Sequence, residues 1–181
     1  MAGWRLRAMA PQDIDNVLSM VQELAAFEAL EHELTLDREG LMEGVFGRRP
    51  WVEGLVAEAA QDDGQTPLVG YALSFKSFST FRCRAGLYLE DLYVRPIWRR
   101  QGVGLALLRA VCAEAHRRGF ARVEWSVLDW NAEAIAFYRR LGGMHQPEWQ
   151  RFRLEGAALA RLAEDAGGNG TLQMDDGPAT H

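Results

Sequence analysis

Apolar and polar positions alternate over Trp4–Arg7 with the period of a strand, then shift to helical spacing at Ile14, Val17, Leu18, Val21, Leu24 and Ala25 behind Pro11 and Asp13. A second helix is expected behind Thr35 or Asp37, with Leu41, Val45 and Phe46 on its apolar face and Pro50 after its end. Trp51–Ala59 and Pro67–Ser79 read as a strand pair, with Asp62, Asp63 and Gly64 supplying the bend in Gln61–Gln65. Leu87–Val94 is an apolar strand broken only by Glu90 and Asp91. Gly102–Arg118 then reads as a long apolar helix with a basic last turn and Gly119 as its stop. Arg122–Leu128 is the next strand. Asn131 caps a short helix, Ala132–Leu141, that Gly142 and Gly143 stop, and a last strand is expected at Gln150–Leu154.

The order strand, two helices, three strands, helix, strand, helix, strand predicts an α/β fold, a mixed sheet covered by helices on both faces. One domain is expected over residues 1–164. Beyond Glu164 the chain is rich in Gly, Asp and Thr without apolar periodicity, so residues 165–181 are expected to form a mobile tail.

Composition narrows the function classes. Apolar residues at 48% and charged residues at 25% match an ordinary globular chain. A formal net charge of −5 opposes nucleic acid as a partner and favours a cationic substrate. No apolar run reaches the roughly 20 residues of a membrane helix, and Met1–Arg7 lacks a signal-peptide core, so a cytoplasmic protein without a membrane partner is expected. Cys112 reads as core packing in a helix and Cys83 as a loop thiol. His32, His116, His145 and His181 are scattered, and no metal is expected.

Chemistry concentrates first at Arg99-Arg100-Gln101-Gly102-Val103-Gly104, between an apolar strand and an apolar helix. The first turn of that helix has free N–H groups, glycine permits close approach, and the helix dipole and arginines favour an anion such as a pyrophosphate. A plain turn before a helix is the alternative. Neither the Gly-Lys-Ser/Thr of an ATP loop nor G-x-G-x-x-G of a dinucleotide site is present.

The R-x-x-G-x-G spacing after a strand and before a long helix, with Asn131 and Tyr138 following, resembles the GCN5-related N-acetyltransferase (GNAT) family over Trp4 to Leu154. Leu24-Ala25-Ala26-Phe27-Glu28, Tyr88-Leu89-Glu90-Asp91 and Asn131 through Tyr138 are most similar to its spermidine/spermine and thialysine branch. The resemblance implies a mostly antiparallel central sheet and transfer of an acetyl group from acetyl-CoA to a primary amine of a small diamine, polyamine or thialysine-like substrate. It implies that Arg99, Arg100, Gln101, Gly102, Val103 and Gly104 hold the pyrophosphate of the cosubstrate, that the backbone of Leu92, Tyr93 and Val94 bonds its pantetheine arm, and that the strands here at Leu87–Val94 and Arg122–Leu128 splay around the thioester. It also implies a homodimer. A protein or aminoglycoside-like acceptor and a silent CoA-binding module are the other readings.

A primary amine, with a pKa near 10.4, must lose a proton before it attacks a thioester. Glu90, beside the expected cleft, is the candidate base, and partial burial is expected to raise its pKa. A salt-bridged structural charge at Glu90 or Asp91 is the alternative. Tyr138, the residue the resemblance makes the general acid, could otherwise be a packing side chain. Asn131 serves as N-cap, as a CoA contact, or both. Glu28 and Asp91, with Glu31 and Glu33 nearby, could pair with ammonium groups, and Phe27, Phe81, Trp149 and Phe152 could contact an alkyl chain or a cation. Against these stand a solvated helix end for the glutamates and core packing for the aromatics. Arg82 and Arg84 beside Phe81 oppose a long polycationic substrate.

Overall fold

A computed structural model describes residues 3–60 and 67–167, with side chains through residue 164. By contacts the chain divides into two units, Met1–Ala132 and Glu133–His181.

The first unit is a sheet of five strands in the order β1-β2-β3-β4-β5, with β1 Trp4–Ala8, β2 Glu53–Ala59, β3 Leu68–Ser79, β4 Arg84–Val94 and β5 Val123–Trp125. The first three pairings are antiparallel and β4–β5 is parallel, the mixed, mostly antiparallel sheet that was expected. The expected bend at Gln61–Gln65 lies outside the described residues, but the Ala59 N–H donates to the Pro67 carbonyl at 3.0 Å where the β2–β3 pair meets it.

Helices cover both faces. On one side lie α1 Ile14–Glu28 and α2 Arg38–Phe46. Ile14, Val17 and Met20 of α1 and Val45 of α2 form one cluster with Val56, Tyr71, Leu73 and Tyr93 of the sheet, and each such side chain stabilises the fold by roughly 1.5–3 kcal/mol when fully buried. Asp37 is the cap of α2, its side chain accepting from the Gly40 N–H at 2.9 Å. On the other face lies α3, Val103–Arg117, with Val103, Leu107, Leu108, Val111 and Ala115 buried. Its seat needs a glycine at position 70: a Cβ there would stand 2.7 Å from the Tyr93 carbonyl oxygen and 3.4 Å from Leu107. Cys112 is exposed rather than packed in the core. It follows Val111 by one residue, which turns it about 100° away from the buried stripe.

The second unit holds α4, Ala132–Arg140, which begins at the unit boundary, and α5, Gly156–Gly167. Two expectations fail here. Residues 150–154 are not a strand. Phe152 is 92% exposed and Leu154 53%, so these apolar residues have no sheet partner within the described chain. The start of the expected tail, residues 165–167, is instead the last turn of α5, whose Ala, Leu and Arg composition favours helix; the rest of the tail lies outside the described residues. Among the described residues, no helix is long and apolar enough to cross a membrane, and no cluster of His, Cys, Asp and Glu could hold a metal ion.

Candidate active site

The β3–β4 ladder carries a register shift at Leu73/Ser74: Asp91 stands opposite Leu73, Leu89 stands opposite Ser74, and Glu90 is the extra residue between them. Leu73 belongs to the cluster under α1, whereas Ser74 and Leu87 line a cavity with Val111 and Glu114 of α3. Leu89 and Asp91, two positions apart, therefore face opposite sides of the sheet, which a regular strand does not allow. The bulge turns Asp91 toward α1.

At the same point the sheet opens. The β4–β5 pairing runs only through Leu87↔Val123, Tyr88↔Glu124 and Leu89↔Trp125. Beyond Leu89, β4 continues to Val94 without β5 beside it, leaving a cleft between residues 90–94 and 126–128. The strand expected to reach Leu128 ends at Trp125 because the two strands part there. Ser126 is tied to the start of the opening, its Oγ 2.7 Å from the Tyr88 hydroxyl.

Three carboxylates gather on the α1 side. Asp91 is half-buried, and its pKa is pushed up to about 6, first by burial and then by the charges of Glu90 and Glu28, against the lowering effect of the hydrogen bond from Tyr71. That bond runs from the Tyr71 hydroxyl to Asp91 Oδ2 at 3.2 Å. Burial also raises Glu28 at the end of α1. Among the described residues no arginine or lysine pairs with any of the three. Glu90 is exposed, contrary to the expected partial burial, because the bulge lifts it out of the ladder; the half-buried acid is its neighbour at 91.

The loop expected to hold an anion is shaped by its neighbours. Gly102 caps α3 in the left-handed region at φ 84°, with no side-chain cap, and the first helical bond runs from the Ala106 N–H to its carbonyl. The N–H groups of Val103, Gly104 and Leu105 thus have no acceptor within the helix. Arg100 also has a positive φ, 63°. The Trp4 indole donates to the Gln101 carbonyl at 3.2 Å and the Gln101 amide to the Ile97 carbonyl at 2.9 Å. Arg99 donates from Nε to the Val94 carbonyl at 3.0 Å and lies over Phe27, 4.9 Å from its centroid, and Tyr93, 5.8 Å away. It staples the loop to β4 and to the end of α1.

Phe27 also packs against Trp130, centroids 5.6 Å apart, so this expected substrate aromatic stands at the wall between loop and cleft. Asn131 directly precedes α4, its N–H donating to the Leu128 carbonyl at 3.0 Å. Leu92, Tyr93 and Val94 pair with β3 on one edge and have no β5 beside the other. Phe81 is not brought to the carboxylates: it is 93% exposed in the β3–β4 turn, and Arg84 to Asp91 alone spans about 23 Å of strand. Tyr138 and Trp149 belong to the second unit. The Tyr138 ring lies 5.3 Å from that of Phe137, its carbonyl accepts from Gly143 at 2.9 Å, and Trp149 is 70% exposed.

Sequence reasoning missed Tyr71, Glu23 and Arg95. Arg95 pairs with Glu23 at 2.8 Å and donates to the Leu68 carbonyl at 3.0 Å, while the Tyr93 hydroxyl donates to Glu23 at 3.1 Å, tying α1 to the end of β4. The one available signal for Tyr71 was a phenol inside an otherwise apolar strand.

The sequence model of the acetyltransferase (GNAT) family matches residues 19–143. A thialysine N-epsilon-acetyltransferase of Mus musculus is 37% identical over 90% of this chain and 99% of its own length. The L-ornithine N5-acetyltransferase NATA1 of Arabidopsis thaliana is 29% identical over 87% of each chain. Among solved structures, an integron cassette protein from the mobile metagenome of V. cholerae superposes with a TM-score of 0.71 at 21% identity, covering 89% of this chain and 98% of that one.

Proposed function

This chain belongs to the GNAT acetyltransferase family, and on that premise we propose that it transfers an acetyl group from acetyl-CoA to a primary amine of a small diamine, polyamine or thialysine-like substrate. The observation that carries the reading is the bulge at Glu90, where the sheet opens and three carboxylates without cationic partners gather. A positively charged amine has its counter-charges there and nowhere else along β4. The names of the mouse and plant relatives, whose substrates are small diamino compounds, support the same acceptor class.

The residues present fit the cosubstrate. Unfilled amides at the start of α3, shaped by Gly102 and flanked by Arg99, Arg100, Gln101, Val103 and Gly104, would take its diphosphate. The open edge of Leu92, Tyr93 and Val94 would bond its amide-bearing arm, with Asn131 beside it. Bound there, acetyl-CoA supplies a thioester whose acyl carbon is open to an amine nitrogen. Arg99, already engaged with Val94 and Phe27, shapes this loop more than it neutralises phosphate.

Glu90 takes the proton from the bound ammonium, directly or through water, and exposure at the cleft lets it pass that proton to solvent. Asp91 and Glu28 hold the ammonium, with Phe27 against its alkyl chain. As the nitrogen bonds to the acyl carbon and the carbon–sulfur bond breaks, Tyr138 gives its phenolic proton to the sulfur, and the nitrogen sheds its second proton to water, from which the phenolate is reprotonated. The family match runs across the boundary at residue 132, which supports one catalytic domain over residues 1–164. Exposed Met144, Trp149, Phe152 and Leu154 support a homodimer. The unpaired cysteines agree with a cytoplasmic enzyme.

Purified protein with acetyl-CoA and an amine panel is expected to release free thiol, fastest with small diamines. Glu90→Gln should slow release at neutral pH more than at pH 9, and an equal loss at every pH would rule out a base at this position.

A further inference from the structure

Tyr71 is fully buried, 0% exposed, in a strand whose neighbours are aliphatic. A phenol at such a place needs a partner for its O–H, since an unpaired buried donor costs about 1–3 kcal/mol. Its partner is Asp91, the diagonal neighbour across the ladder, because Tyr71 stands opposite Tyr93 and Leu73 opposite Asp91. The bulge decides which acid takes this place: were β4 regular onward from Leu89, residue 90, not 91, would stand opposite Leu73.

The charges around Asp91 come from three elements. Glu90 stands beside it on β4, Glu28 reaches it from α1, and Tyr71 meets it from β3. Two of the three are like charges that oppose its ionisation, and Tyr71 is the only donor among them. Tyr71 is itself fixed by packing against Tyr93, centroids 6.3 Å apart, and Tyr93 in turn is held by Glu23 and Arg95. The donor is thus rigid, and it takes up one oxygen of the carboxylate.

We propose that Tyr71 is a positioning residue for amine recognition: its buried hydroxyl holds Asp91 as an aimed carboxylate, so that the other oxygen faces the ammonium group of the acceptor. The inference rests on the functional reading above and adds to it a residue that touches neither substrate nor cosubstrate. It makes acceptor binding, rather than acyl transfer, the step that depends on Tyr71. The lowering effect of its hydrogen bond on the Asp91 carboxyl agrees with this role.

Tyr71→Phe keeps the ring and removes the hydroxyl. With the best amine of the panel, KM for the amine at pH 7 should rise about tenfold, the loss expected for a hydrogen bond to a charged group, while KM for acetyl-CoA stays within about twofold. The acidic limb of kcat/KM should move up by about one pH unit, so the defect shrinks toward pH 9. In an Asp91→Asn background the same substitution should add less than about twofold. An equal defect at all pH values, a matching rise in KM for acetyl-CoA, or full additivity with Asp91→Asn would overturn the proposal. Carbon-13 NMR titration of the Asp91 carboxyl separates this from the functional reading. A titration unmoved by Tyr71→Phe sinks the positioning role whatever the kinetics. An upward shift in a protein that acetylates no amine upholds the Tyr71–Asp91 coupling and sinks the assigned activity instead.

Discussion

Asp13 and Asp91 are both acidic side chains drawn out of water at the edge of the same apolar cluster, yet their surroundings push them in opposite directions. Burial raises Asp13, but both nitrogens of the Arg7 fork reach it, at 2.6 and 2.8 Å, and the Ala10 N–H donates at 2.7 Å, so it ends below the ordinary carboxylate range. Glu58, 2% exposed, is likewise brought down by Arg7 and Arg5 after burial has raised it. Asp91 has carboxylates where Asp13 has guanidinium groups, and a phenol as its one donor. The first cluster is closed, with its charges cancelled inside the protein. The second is left negative, and in the proposed function a cation arriving from outside completes it. The arginine thus separates a group that holds the fold together from a group proposed to meet substrate.

The largest way to break this contrast is to remove the arginine. Arg7→Met strands Asp13, leaves Glu58 with Arg5 alone, and should cost about 3–5 kcal/mol in urea unfolding at pH 7. Because the folded pKa values of Asp13 and Glu58 are lowered, the stability they contribute is present above the ordinary carboxylate range and is lost as pH falls through the folded values; the variant should lack this acid-dependent loss. Asp91 has the opposite sign. Its folded pKa of about 6 lies above the ordinary 3.8, so its ionisation costs stability as pH rises through that window. Asp91→Asn should therefore gain about 3 kcal/mol at pH 7.5, lose most of that gain by pH 4, and weaken amine turnover throughout. The smallest change gives the second cluster a little of the first one's character. Glu28→Gln removes one like charge and should lower the acidic limb of kcat/KM by a few tenths of a pH unit, measured against the wild type at constant ionic strength.

Much of the frame was legible in the chain. The helix stripe of α1, the glycine stop of α3 and the Asp37 cap follow from spacing and from residue chemistry that acts within a few positions. The glycine-capped turn before α3 was legible for the same reason. What stayed hidden depends on cross-strand register. The sequence places Glu90 and Asp91 side by side but does not say which is buried, because a bulge cannot be read from an apolar run interrupted by two acids. Tyr71 joins them only through that register. Residues 150–154 show the opposite failure: Phe152 and Leu154 have the apolar character of a strand, but a strand needs a neighbour, and the described chain supplies none.

The extra residue in β4 has a consequence for how this enzyme can change. Upstream of it, Leu87 and Leu89 face α3; downstream, Asp91 faces α1, where the proposed function puts the acceptor. A substitution on one side leaves the other in step, so the pocket can drift toward a new amine while the helix seat stays under its own constraint. Deleting that residue would join Leu89 and Asp91 in a regular ladder with both registers kept, so the wall would lose Glu90 and its bend while every other side chain held its face.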